Sequence, residues 1–163
     1  MMPDLYVRAD AVLSTCGLYR YRLTRAWDDG PGCVFIMLNP STADAWQDDP
    51  TIRRCIGFAR REGCGFLTVV NLFAFRATSP ANMKAAVDPV GPENDAHLRA
   101  VLAGEHGPKV AAWGVHGTHG GRAAAFGRAI SGVDLLCLGT TAAGAPRHPL
   151  YVRGDAPLVP FSA

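Results

Sequence analysis

The run Cys33-Val34-Phe35-Ile36-Met37-Leu38 is apolar at every position, rich in β-branched and aromatic side chains, and stops abruptly at Asn39-Pro40-Ser41. Its length and content are those of a core strand, and Pro40 ends the ladder because proline has no N–H to donate. Polar side chains at the exit of a buried strand usually line a pocket. Phe66-Leu67-Thr68-Val69-Val70-Asn71 repeats the arrangement, and Leu135-Leu136-Cys137-Leu138-Gly139 leads into Pro146-Arg147-His148-Pro149-Leu150-Tyr151. In open α/β sheets ligands bind outside the carboxyl ends of the strands. Asn39, Asn71 and His148 are therefore expected to converge on one crevice.

Gly17 to Trp27 alternates apolar with polar residues, as a half-buried strand does, and 28–32 is a turn of Asp, Gly and Pro. So short a turn predicts an antiparallel hairpin with the strand at 33–38. Asp49-Pro50 is an N-cap and first-turn signal for a helix to about Glu62, with Gly63 as its stop. Ile52, Cys55, Ile56 and Ala59 form its apolar face, and Arg53, Arg54, Arg60 and Arg61 cover much of the rest. Further on, the pattern predicts strands at 66–74, 108–113 and 133–139. It predicts helices from Glu93 or Asn94 to Ala103 and over 120–131, with a long irregular stretch at 76–92. Alternating strands and helices imply an α/β fold. The expectation is a three-layer αβα sandwich, one domain over 1–163, with a mainly parallel central sheet and the first strand antiparallel at its edge.

The 163 residues suffice for one sizeable core, and the 48% hydrophobic and 18% charged content is that of an ordinary globule. No apolar run approaches the roughly 20 residues a membrane span needs. Met1-Met2-Pro3-Asp4 lacks a basic n-region followed by an apolar stretch, so no secretory signal is read and a cytoplasmic location is expected. The five cysteines, Cys16, Cys33, Cys55, Cys64 and Cys137, are odd in number and widely spaced, and read as reduced thiols. Without a Cys-x-x-Cys pair, and with His116 and His119 lacking a third ligand nearby, no metal site is implied. The glycine-rich stretch from Gly114 to Arg122 fits neither nucleotide-loop pattern, so no cofactor is implied. The net charge of +2 announces no strong polyanion field, although all basic residues except Lys84 and Lys109 are arginines.

Three segments taken together are distinctive: Met37 to Asp44 with Asp49 to Arg54, Val70 to Thr78, and Pro146 to Tyr151. They resemble an uncharacterised bacterial and phage family, the domain of unknown function DUF1643, over about residues 17–152. A more distant similarity is to uracil-DNA glycosylases. There a strand ends in a Gly-x-Asp-Pro or Gly-x-Asn-Pro motif that positions water, a second ends in an asparagine that reads the base, and a Leu-Trp-Gly-like strand precedes a His-Pro-Ser loop. The order here is Met37-Leu38-Asn39-Pro40, then Val69-Val70-Asn71-Leu72, Ala112-Trp113-Gly114 and Arg147-His148-Pro149. Met37 stands where the glycine is expected, Asn39 matches the mismatch-directed branch, and Leu150 follows His148-Pro149 in place of serine.

This resemblance implies hydrolysis of an N-glycosidic bond. Such a reaction builds positive charge on the sugar and negative charge on the departing base. Asn39 and His148 become the expected catalytic residues, Asn39 orienting a water through its carbonyl and His148 donating to the base oxygen. Asn71 becomes the base reader, since a primary amide offers both donors and an acceptor. Phe73, Phe75 and Trp46 compete for the role of stacking platform. Ser41, Arg53, Arg54, Arg147 and Tyr151 complete the expected substrate-binding set, the arginines suiting phosphate. Read without the resemblance, Asn39 can be a turn residue, His148 a cap, and Arg53 and Arg54 a solvated helix face. The expected partner is a nucleic acid or nucleotide. Two alternatives stand beside the glycosylase reading: a non-catalytic nucleobase or nucleic-acid binding module, and a hydrolase or transferase of small nucleotide metabolites.

Overall fold

The computed structural model describes residues 6–104 and 107–163. The reading of Met1-Met2-Pro3-Asp4 lies outside the described residues. Among those described, seven strands form one sheet: β1 (Arg8–Leu13), β2 (Arg20–Ala26), β3 (Gly32–Met37), β4 (Phe66–Asn71), β5 (Lys109–Ala111), β6 (Leu135–Cys137) and β7 (Val159–Phe161), in the order β1-β2-β4-β3-β5-β6-β7. Four α-helices accompany them: α1 (Pro50–Arg61), α2 (Pro80–Ala85), α3 (Asn94–Gly104) and α4 (Arg122–Ala129). The chain is an α/β protein with a mixed sheet.

The strands β4, β3, β5 and β6 run parallel to one another, whereas β1–β2, β2–β4 and β6–β7 pair antiparallel. The sheet is therefore not mainly parallel, contrary to the expectation. A parallel neighbour requires a crossover, and α1, α2 with α3, and α4 supply crossovers only between β3 and β6. The edges come from short or irregular connections that return the chain antiparallel. β7 is only three residues long and β1 lacks a continuous apolar run, so neither stands out in sequence, and α2, capped by Ser79 Oγ on Asn82 N at 3.2 Å, occupies part of the stretch read as irregular.

The predicted hairpin does not form. β4 lies between β2 and β3, pairing antiparallel with one and parallel with the other. Residues 27–31 straddle the start of β4: Trp27 N and Asp28 N donate to Gly65 O at 3.0 and 3.1 Å, and Gly65 N donates to Pro31 O at 3.0 Å. A strand lies about 4.8 Å from its neighbour, so even a short loop reaches across one intervening strand. Only glycine permits this approach. A Cβ on Gly65 would stand 2.5 Å from both Asp28 O and Asp29 O.

The strand exits fall side by side because β4, β3 and β5 are adjacent and parallel. One core joins Ile52, Cys55, Ile56, Phe58 and Ala59 of α1 to Phe35, Leu67, Val69 and Val110 of the sheet. On the other face Met83, Leu98, Val101, Leu102 and Phe126 of α2, α3 and α4 pack on Val34, Ile36, Val70 and Ala111. α1 begins and ends where its sequence signals place it: Asp49 Oδ1 accepts from Ile52 N at 2.8 Å, and Gly63 adopts φ 78° just beyond. No helix among the described residues is long and apolar enough to cross a membrane. Cys33, Cys55, Cys64 and Cys137 are buried and unbridged, while Cys16 is exposed.

Replacing Gly65 with alanine is expected to destabilise the protein by about 1–3 kcal/mol, the usual cost of forcing atoms into a packed backbone contact. A urea midpoint unchanged by this substitution would contradict the crossing described here.

Candidate functional site

A cleft of about 520 Å³ opens at the carboxyl ends of the central strands, within the size range of small-molecule sites. Asn39, Ser41, Asn71, Arg147, His148 and Tyr151 line it, together with Trp113 and Gly114. The three strand exits singled out in sequence thus share one cavity.

Asn71 ends β4 and is 1% exposed, and neither its Nδ2 nor its Oδ1 has a hydrogen-bond partner. Its backbone carbonyl is already taken by Asn94 Nδ2 at 2.9 Å. The side chain is not holding the fold together. Asn39 differs: its Nδ2 donates to Ala77 O at 2.9 Å and Pro40 O at 3.1 Å. With both hydrogens engaged, its carbonyl oxygen is left as the acceptor available to the cleft.

His148 precedes a short 3-10 turn, Pro149–Tyr151, and its Nδ1 accepts from Leu150 N at 3.2 Å. An accepting Nδ1 places the proton of the neutral ring on Nε2, which makes that atom a donor. Burial lowers the His148 pKa from the ordinary 6.5, and the Asp49 carboxylate opposes this more weakly. The surrounding loop is braced from three sides. Gly114 N donates to Pro146 O at 2.8 Å, Arg147 N to Gly139 O at 2.9 Å, and Arg54 bonds Pro149 O at 3.2 Å and also Val152 O.

Arg54 is thus a brace for the His148 turn, outside the cleft wall. Arg53 is exposed and bonds Asp48 O at 3.2 Å. Trp46 is 92% exposed and does not line the cleft. Phe73 lies beyond the end of β4, buried in the core under α2 and α3 and tilted against His119 with ring centroids 5.8 Å apart. Neither aromatic reaches the cavity. Tyr151, on its wall, does.

Sequence reading missed Arg20 and treated Asp49 only as a cap; both line the cleft, and Asp49 is the sole acidic residue that does so among the described residues. Arg20 was hidden by alternation. In a regular strand it would face away from Leu23 and Arg25. The β1–β2 register instead runs Val12↔Arg22 and then Leu13↔Arg20, which leaves Tyr21 as an extra residue, a β-bulge. The bulge turns Tyr21 to the opposite face, where it stacks on His97 with centroids 4.9 Å apart, and returns Arg20 to the cleft side. There Arg20 Nη1 donates to Ala43 O at 2.7 Å, and its Nε has no partner. Desolvation lowers its pKa from 12.5 to about 10, with the Asp49 charge opposing, so it remains a cation at neutral pH. Among the described residues no group of three or more His, Cys, Asp and Glu is placed to hold a metal ion. His116 also lines the cleft, with its Nδ1 2.9 Å from Lys84 Nζ.

Residues 20–150 match the family described as "Protein of unknown function (DUF1643)". The chain belongs to DUF1643. The DUF1643 match begins at Arg20 and ends at Leu150, so it contains every cleft-lining residue named here except Tyr151. No curated protein and no solved structure matches the chain.

An NMR titration of His148 should give a midpoint below 6.5. Because the unfolded chain then takes up the proton first, stability from the neutral ring is present above pH 6.5 and falls as pH drops through and below that value. His97, also lowered by burial, adds to the slope. A His148 midpoint at or above 6.5 would contradict the buried, Nδ1-accepting arrangement.

Proposed function

We propose that the cleft binds a nucleobase and that the protein hydrolyses an N-glycosidic bond in DNA or a nucleotide, in the manner of uracil-DNA glycosylases. The observation that carries this reading is Asn71, a buried amide with donor and acceptor both unpaired on the cleft wall. Leaving such groups unsatisfied costs about 1–3 kcal/mol each, and a ligand edge presenting one acceptor and one donor offsets that cost. Nucleobase edges have this pattern. The glycosylase-like motifs add support, since Asn39, Asn71, Trp113-Gly114 and His148 all line the same cavity. An α/β sheet with a core on each face is also compatible with a three-layer glycosylase-like arrangement.

In this reading water adds to the sugar C1′ while the C1′–N bond breaks, its electron pair leaving with the base; the proton that the water loses passes to solvent, and the departed base takes one up from solvent. The Asn39 carbonyl oxygen accepts a hydrogen bond from that water and orients it. The neutral His148 ring donates from Nε2 to the base oxygen that becomes anionic, a donor already set before the charge develops. Asp49 supplies negative charge on the wall where the sugar becomes positive. Arg54, through its carbonyl contacts, keeps the His148 turn in place.

The test is incubation with single- and double-stranded oligonucleotides carrying uracil, hypoxanthine or oxidised pyrimidines, and with the corresponding nucleotides, followed by assay for released base and alkali-labile breaks. His148→Ala should lower turnover by on the order of 10²–10³, as loss of an oxyanion donor does. Asn39→Ala should impair hydrolysis with base binding nearly unchanged, and Asn71→Asp should alter which base is accepted. A wild-type protein that binds bases but releases none from any of these substrates is a binding module.

A further inference from the structure

Arg25 and Arg20, both on β2, are buried to almost the same degree, 1% and 2% exposed. Arg25 has Asp48 at 2.8 Å and several backbone carbonyls around its guanidinium. Arg20, on the cleft wall, has the carbonyl of Ala43, an unpartnered Nε and, among the described residues, no carboxylate within ion-pair distance. Buried charges are ordinarily paired, because an unpaired one forfeits its hydration without return. The two carboxylates whose charges reach Arg20 are engaged elsewhere. Asp49 Oδ1 accepts from Ile52 N at 2.8 Å, and Asp44 Oδ1 accepts from Trp46 N and Gln47 N at 2.8 and 2.9 Å. A second unpaired cation stands nearby. Desolvation is the main cause of the lowered Arg20 pKa, and the Arg76 charge adds to it. Arg76 has one long contact, Nη1 to Gly17 O at 3.4 Å, and likewise no carboxylate among the described residues. It lines a more open groove that continues from the cleft, since Ser41, Thr42, Ala77 and Thr78 form part of both walls. Two like charges kept near one another without a counter-ion are destabilising, and a bound anion turns that repulsion into attraction to both.

We infer that Arg20 and Arg76, with the hydroxyls of Ser41, Thr42 and Thr78 on the shared wall, form a subsite for a phosphate monoester, so that the ligand is a free nucleotide and not an internal position of a nucleic-acid strand. The phosphate subsite stands on the arginines; that the ester is a nucleotide rests on the nucleobase reading of the adjoining cleft. A guanidinium presents paired coplanar donors that match phosphate oxygens, and hydroxyls donate to the oxygens left over. A phosphate monoester has its second pKa near about 6, so at neutral pH it carries close to two negative charges, one for each arginine, where an internal phosphodiester carries one. Burial selects in the same direction. Only a group that enters the cleft reaches Arg20, and a terminal phosphate enters more readily than one held between two sugars. Arg20 on β2 and Asn71 on β4 belong to adjacent strands and line the same cleft, so one small molecule can present its base to the amide and its phosphate to the arginines. The net charge of +2 supplies no field of the kind that gathers a long polyanion.

The experiment is NMR titration of the whole protein with the 2′-deoxynucleosides of uracil, hypoxanthine, cytosine and adenine, with their 5′-monophosphates, with ribose 5-phosphate, and with short oligonucleotides of the same bases with and without a 5′-phosphate. It is repeated on Arg20→Met, Arg20→Lys and Arg76→Met, with thermal melting as the fold check. For at least one base the wild type should bind the monophosphate at least about tenfold more tightly than the nucleoside, the scale of one charge-assisted hydrogen bond. Arg20→Met should remove most of that gap, and Arg20→Lys and Arg76→Met should each narrow it. A nucleoside bound as tightly as its monophosphate, or a gap unchanged in both Arg20→Met and Arg76→Met, overturns the inference while leaving the nucleobase reading intact. If Arg20→Met does not fold, Arg76→Met and the wild-type gap decide. Oligonucleotides bound more tightly than any mononucleotide, with or without a 5′-phosphate, assign the arginines to internal phosphodiesters and overturn it as well. A strand bound only when it carries the 5′-phosphate keeps the monoester subsite and places it at a strand end, overturning the free-nucleotide half. Ribose 5-phosphate bound as tightly as every nucleotide, and lost in Arg20→Met, upholds the phosphate subsite and overturns the nucleobase reading. Absence of any binding overturns both.

Discussion

Everything at the site depends on one backbone crossing, the passage of residues 27–31 over Gly65. Three hydrogen bonds tie this crossing together, and a Cβ at residue 65 would be in collision with two carbonyl oxygens. The crossing lets β4 enter between β2 and β3. Asn71 is consequently placed next to Met37 at the carboxyl ends of the two strands, paired in register with it. Had β2 and β3 formed a simple hairpin, β4 would not lie between them, beside the strand that carries Arg20.

The sheet exits are then closed over by connections from far along the chain. Ala77 meets Asn39 through both backbone and side chain, since Ala77 N donates to Pro40 O at 3.0 Å and Asn39 Nδ2 donates to Ala77 O at 2.9 Å. The His148 turn is held against the end of β5 by Gly114 and against α1 by Arg54. Gly114, at φ 74°, has a backbone conformation that favours glycine. Rigid strands and a capped helix thus hold the walls, while the polar groups on the floor remain unpaired. Hydrogen bonds position the Asn39 and His148 side chains, while Asn71 Nδ2 and Oδ1 and Arg20 Nε have no hydrogen-bond partner.

Sequence by itself determined much of this. The apolar run ending at Asn39-Pro40 exposed a strand exit, because proline cannot continue a ladder, and the run ending at Asn71 exposed another. Asp49-Pro50 and Gly63 bounded α1, because caps and left-handed stops are local backbone chemistry that needs no distant partner. Tertiary structure decided the rest. Trp46 and Phe73 were equivalent aromatics in sequence, yet one is in solvent and the other in a core, since burial depends on where the chain turns after each strand. Arg54 was indistinguishable from a solvated helix residue because the carbonyl it holds, that of Pro149, lies 95 residues away. Arg20 was concealed most completely. Its side chain reaches the cleft only because the pairing of β2 with β1 accommodates one extra residue, and the register between two strands is a property of their contact, which neither strand's sequence states alone.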